Sequence, residues 1–439
     1  MIRNLVTTEI MTFKLIKKYH QIESWCHMTN TSFQNKLAAY ANLAIKLGLQ
    51  IQSGDWLHLT INLDQANLAH LLVEAAYQAG ARKVMVQWQD DQLQRLDLTY
   101  QSAADLQTSL PYQEEQLQFI ATNHVKRLVV VSTDPAALQG IPTEKIAAYQ
   151  QRQSKGLAAV RNATQNNQLS WLIIAAASPA WAQKVFPQLT AEAATEELWQ
   201  AIFKANRVDQ PDPIAAWQQH RDDLSARAAR LNQYQFDALH YQAPGTDLTI
   251  GLPKNHIWEA AGATNTQGEY FIPNMPTEEV FTAPDWLRVD GTVSSTKPLS
   301  YAGTVLSGLQ LTFKNGQVIA ATAKQGQATL EQLLATDEGA RHLGEVALVP
   351  DQSPISQSGL IFYNTLFDEN ASDHLALGAA YPFSVKNGTK LNKLQLQKAG
   401  LNVSQVHVDF MVGSAEMNID GLTKTGEVVP LFRKGNWAK

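Results

Sequence analysis

Near the C-terminal end, Val406-His407-Val408-Asp409-Phe410-Met411-Val412 alternates polar and apolar residues. Period two puts His407 and Asp409 on one face of a strand and Val408, Phe410 and Val412 on the other. An imidazole and a carboxylate side by side on a rigid backbone can bind a metal ion; a half-buried edge strand with a solvated polar face carries the same pattern. Upstream, the polar run Asp368 to His374 ends in a histidine before Leu375-Ala376-Leu377-Gly378, read as an apolar turn, and Tyr381 follows seven residues later with a phenol hydroxyl to donate. That run suits the wall of a site, or a solvated loop. Glu345 leads the apolar segment Val346 to Val349. If the segment is buried, its charge needs a cation or hydrogen-bond donors; an exposed strand end is the other reading. Glu278 and Glu279 sit between Pro276 and Pro284. On extended backbone their side chains point opposite ways, so at most one reaches a given site directly.

Two glutamates, two histidines and an aspartate form a mixed oxygen and nitrogen donor set that suits zinc, cobalt, manganese or iron. One catalytic zinc ordinarily takes three protein ligands and a water, so five groups fit a paired centre with a shared carboxylate better. Such a pair can polarise a carbonyl and bring a bound water's pKa toward about 7, supplying hydroxide near neutral pH. The sequence has no H-E-x-x-H and no G-x-S-x-G, which excludes a zincin helix and disfavours that type of serine hydrolase.

The elements that must position these groups fall into two textures. From about residue 50 to 180, strand and helix alternate: Trp56 to Ile61, Lys83 to Trp88, Arg127 to Ser132 and Ser170 to Ala175 read as strands. Asp64 is expected to cap the helix after the first strand, with Gly80 ending it, and Ser32 to cap a helix carrying Leu37, Ala41, Ala44 and Leu47. This predicts an α/β N-terminal domain with an open, largely parallel sheet. No G-x-G-x-x-G or P-loop opens any of its helices, so a nucleotide site is unsupported. Residues 190–235 read as a helical connector broken by Pro211 and Pro213. From about 235 onward, short strands alternate with Gly and Pro turns, and Asn315-Gly316 between two apolar runs marks a hairpin. The expectation is an α/β domain over 28–234 and an α+β, β-rich catalytic domain over 235–439.

At 439 residues the chain is long enough for two such domains, with 45% hydrophobic residues for their cores. Its formal charge of −5, without a basic run, argues against nucleic acid as a partner. The single cysteine, Cys26, rules out an intrachain disulfide framework. No apolar run is long enough for a membrane helix. In residues 1–27, lysines interrupt every apolar stretch, so no export signal is read. Met28 looks like a natural start and the preceding segment like an extension of doubtful structure.

Several long segments, in order, resemble the thermophilic aminopeptidase family: NMPTEEVFTAP (274–284), DGTVSSTKPLSYAGT (290–304), LGEVALVP (343–350), FYNTLFDENASDHLALGAAYP (362–382), HVDFMVGSAEMNIDG (407–421) and GEVVPLFRKGNW (426–437). The resemblance runs from about residue 30 to 439 and is weaker in the first half. It implies a cytoplasmic metallo-aminopeptidase that removes the N-terminal residue from short peptides, using two divalent ions (Zn, Co, Mn or Mg). Carried over by position, the ligands are Glu279, Glu345, His374, His407 and Asp409, with Glu345 bridging and Tyr381 an active-site donor. Glu278 is expected to shuttle a proton, or else to support the site from behind. A homodimer whose active sites face an enclosed cavity is also implied. A different dinuclear hydrolase, acting on amides or phosphate esters, and a metal-free peptide-binding protein are the alternatives.

Overall fold

The computed structural model describes residues 31–132, 134, 137–301 and 304–438. The expectations for residues 1–27, Cys26 included, lie outside them. In the N-terminal half, the strands Lys83–Gln89, Trp56–Asn62, Lys126–Val131 and Trp171–Ala175 lie side by side in that order, all parallel. Parallel strands need crossovers, and helices supply them. Helix Ala66–Gln78 buries Leu68, Ala69, Leu72, Ala75 and Ala76 against the sheet, the 3.6-residue stripe visible in the sequence.

Asp64 does not cap that helix. It lies in the 3₁₀ turn Leu63–Gln65, and Gln65, at the cap position, donates its side-chain amide to the Ala177 carbonyl at 3.0 Å instead. Ser32 likewise lies inside a helix that is already formed at residue 31, and that helix ends in the π-helical turn Ala44–Gly48. Helices Ala191–Ala205 and Pro213–Tyr234 form the connector. The break precedes Pro213, which starts the second helix behind its Asp212 cap, because proline lacks the N–H that a first turn does not use.

Among the described residues the C-terminal half holds two large antiparallel sheets and two two-stranded ones. The five-stranded one runs His407–Met411, His374–Gly378, Leu343–Leu348, Val280–Thr282, Glu259–Ala260. The eight-stranded one contains the hairpin Gln310–Lys314 and Gln317–Thr322. Asn315 and Gly316 join those two strands with φ of 51° and 81°, the pair of positive values a tight hairpin requires. The two large sheets share one apolar core: Val346, Leu375, Leu377 and Phe410 from the smaller meet Leu239, Leu248, Ile250 and Phe432 from the larger. Leu375 to Gly378, read as an apolar turn, belong to the strand His374–Gly378, which is buried along its whole length because both its edges are paired. The core beneath the parallel sheet also takes in Ile272, Met275, Phe362 and Phe367 from the C-terminal half.

Candidate metal centre

The five-stranded sheet sorts its side chains by parity. Glu345, Ala376 and Asp409 lie in one cross-strand row; His374 stands opposite Ala347, and His407 opposite Gly378. Positions two apart share a face, so Glu345, His374, His407 and Asp409 leave the same side. Val346, Leu348, Leu375, Leu377, Val408 and Phe410 leave the other side and join the shared core. Glu279 directly precedes Val280–Thr282, where Phe281 stands opposite Ala347, and so belongs to the polar face. The positions between the acidic and imidazole groups are Ala347, Ala376 and Gly378, whose small side chains leave a hollow above the sheet.

A register shift between Leu343 and Glu345 marks a β-bulge. Gly344 permits it: a Cβ there would stand 2.3 Å from the Gly378 carbonyl oxygen and 2.4 Å from that of Ala379. The bulge aims the Glu345 carboxylate between the two histidines.

His374 Nε2 lies 3.2 Å from Glu279 Oε2 and 3.4 Å from Glu345 Oε1; His407 Nε2 lies 3.6 Å from Glu345 Oε2 and 3.3 Å from Asp409 Oδ1. Two triads follow, Glu279–Glu345–His374 and Glu345–His407–Asp409, each with its donor atoms within 4.8 Å of one another. The far ring nitrogens are engaged elsewhere. His407 Nδ1 donates to the Ala379 carbonyl at 2.7 Å and His374 Nδ1 to that of Ser372 at 3.3 Å, which leaves both Nε2 atoms facing the carboxylates.

The electrostatics call for cations. Burial raises the Glu345 carboxyl above the ordinary range, against the pull of His374 and His407. Burial, reinforced by Asp409 and Glu279, raises Glu369 well above it. Burial alone would lower His407, but Asp409 and Glu345 outweigh it and hold the imidazole at about 10. His374 is raised well above its usual value in the same way, by Glu279 and Glu345 overcoming burial. Asp409 Oδ1 is buried without a well-aligned hydrogen-bond donor. Converging buried carboxylates and imidazoles are compensated by divalent ions, and this oxygen and nitrogen set fits them.

The centre opens into a cavity of about 540 Å³. Glu279, Glu345, His407 and Asp409 line it together with Tyr381 and Glu369. Burial, then the neighbouring carboxylates Glu345 and Asp409, push the Tyr381 phenol well above its usual value, so it stays a hydrogen-bond donor. Its ring stacks on Phe383 with centroids 5.2 Å apart and lies 5.1 Å from the His407 ring. Thr164, Asn167 and Trp171 of the N-terminal half close the far wall.

Glu278 points away from its neighbour Glu279. Its carboxylate meets Arg207 Nη1 at 2.8 Å and His220 Nε2 at 3.6 Å, its backbone N–H donates to Asn370 Oδ1 at 2.7 Å, and it is not among the cavity walls. Sequence reasoning did not single out Glu369, although it lies inside the polar run before His374. It also missed Arg207, His220 and Asn370, whose link to Glu278 spans distant stretches of chain and leaves no local pattern.

A sequence profile of the thermophilic metalloprotease family (M29) matches residues 33–437. The chain belongs to that family. It is 49% identical to aminopeptidase PepS of Streptococcus thermophilus over 93% of its own length and all of that protein's. It is 46% identical to aminopeptidase AmpS of Bacillus subtilis, covering 93% of this chain and 99% of that one. The solved structure of wild-type AmpT from Thermus thermophilus superposes with a TM-score of 0.88 at 39% identity, over 93% of this chain and 100% of that one. The family and these likenesses make the protein a metallo-aminopeptidase, a hydrolase of peptide bonds. The same superposition bears out the fold class read from the sequence, a parallel α/β N-terminal part and an antiparallel, β-rich C-terminal part. No helix among the described residues is long and apolar enough to cross a membrane.

Proposed function

We propose that the enzyme releases the N-terminal residue of short peptides at a paired-metal centre. In this reading, Glu279, Glu345 and His374 hold one divalent cation, and Glu345, His407 and Asp409 the other. The observation that carries it is the split of Glu345: Oε1 faces His374 at 3.4 Å while Oε2 faces His407 at 3.6 Å, as a bridging carboxylate would. Zinc, cobalt, manganese and magnesium all accept such donors. When bound, the ions polarise the scissile carbonyl and acidify a water.

The chain's own residues then have separable tasks. The Tyr381 hydroxyl donates to the carbonyl oxygen as negative charge develops there. Glu369 lines the cavity outside both triads, so we assign it the proton transfer to the leaving amine. The shuttling part expected of Glu278 passes to it, because the Glu278 carboxylate is occupied by Arg207. Glu278 takes the supporting part: its ion pair and the Asn370 bond fix the backbone from which Glu279 projects. The reading extends to a cytoplasmic homodimer whose active sites face an enclosed space, restricting substrates to short or unfolded peptides.

The test measures hydrolysis and metal content together. Leucine p-nitroanilide should be cleaved, its N-acetyl twin and a phosphate ester spared, and EDTA should abolish activity until divalent metal is restored. The loaded protein should carry two ions per chain and Asp409→Asn one. Equal cleavage of the acetylated substrate, or a single ion in the wild type, would contradict the reading.

A further inference from the structure

The cavity contains a carboxylate that the proposed mechanism does not use. Glu259 stands at the edge of the five-stranded sheet, directly opposite Phe281, and both line the cavity. Its carboxylate has no hydrogen-bond or ion-pair partner among the described residues, and burial pushes it up to about 7. Aromatic and small residues adjoin it across the sheet and along the chain. Phe281 packs edge-on against Tyr381 and Phe383, with centroids 6.3 and 6.2 Å away, and the neighbouring chain reads Ala260-Ala261-Gly262-Ala263. A half-buried acid with no cation, set among aromatic faces, is a receptor for a cation carried on an apolar stem.

The sheet register gives the distance scale. Glu259 pairs with Phe281, so Glu279 is its diagonal neighbour. Diagonal neighbours across antiparallel strands stand about 7–8 Å apart. The α-ammonium of a substrate lies two bonds from the scissile carbonyl, roughly 2.5 Å, well short of that spacing. The four methylenes of a lysine side chain carry its ammonium roughly 6 Å from Cα, which fits.

We propose that Glu259 is a specificity-determining residue that receives the cationic side chain of an N-terminal lysine or arginine, the stem lying along Phe281. The proposal rests on the aminopeptidase reading above and adds the side-chain class to it.

The experiment compares lysine and norleucine p-nitroanilides, which differ by the terminal ammonium, on the metal-loaded wild type and Glu259→Gln. A charge-assisted hydrogen bond contributes enough that the variant's kcat/KM for lysine should fall on the order of tenfold to a hundredfold. Its value for norleucine should hold within about twofold, showing an intact centre. A parallel loss on both substrates, as an α-amine or structural role would give, overturns the proposal, and so does no change on either. If the wild type cleaves neither compound, the aminopeptidase reading fails while the inference is still decided by calorimetry of free lysine against norleucine. Lysine binding about tenfold tighter than norleucine in the wild type, and no tighter in Glu259→Gln, supports it; equal affinities in the wild type overturn it.

Discussion

Tyr381 stands beside His407, and burial, then the acidic groups around it, keeps its proton in place. Its value to catalysis therefore lies in donation. Tyr381→Phe keeps the ring, and with it the stacking on Phe383, while removing only the hydroxyl. Loss of one donor to a developing oxyanion lowers kcat by about 10²–10³. We expect that loss with KM nearly unchanged and metal content equal to the wild type, measured on leucine p-nitroanilide. A variant that retains full kcat would reduce Tyr381 to a packing residue. Much at this scale was legible in the sequence. His407 and Asp409 declared a common face because strand parity is local. Glu369 did not, because nothing in a polar run tells which carboxylate turns inward.

The strand Leu343–Leu348 positions Glu345 through the bulge at Gly344. A methyl group at that position has no room, since the obstructing atoms are the backbone carbonyls of Gly378 and Ala379 on the adjoining segment. Gly344→Ala must push those segments apart, at a cost of about 1–3 kcal/mol by analogy with overpacked cores. Because His407 is tied to the Ala379 carbonyl, the displacement also moves an imidazole. We expect a lower urea midpoint together with weaker metal retention on dialysis, read by elemental analysis; unchanged values for both would show that the bulge is not what aims Glu345. The bulge was invisible beforehand: LGEVALVP reads as an apolar strand whether or not one residue is out of register. The element at His374–Gly378 was misread for a related reason, as a short apolar run reads the same in a turn and in a strand paired on both edges.

For the whole molecule, stability has a pH signature that arises in the N-terminal parallel sheet. His58 is buried in the parallel sheet, across from Arg127. Burial first, and the Arg127 charge second, lower its pKa from 6.5 to about 4. A group depressed on folding takes up its proton more readily in the unfolded chain, so its contribution is intact above about pH 6.5 and is lost as pH falls toward 4. Between pH 7 and pH 5 this amounts to about 2 kcal/mol. Urea unfolding of wild type and His58→Gln at the two pH values isolates it, since any acid release of metal is common to both. The wild type should lose about 2 kcal/mol more than the variant; equal losses would show that His58 titrates normally.

The sequence by itself determined the period-two strands, the helical stripes and the Asn315-Gly316 hairpin, because each depends on residues within a few positions of one another; the five groups suited to a metal it offered only as candidates. Tertiary structure alone decided which carboxylates share the hollow above Ala347 and Ala376. It also turned Glu278 to Arg207 and left Glu259 without a partner among the described residues. The physical reason is reach: these outcomes depend on strand register and on contacts between segments tens to hundreds of residues apart, and local propensity carries no information about either.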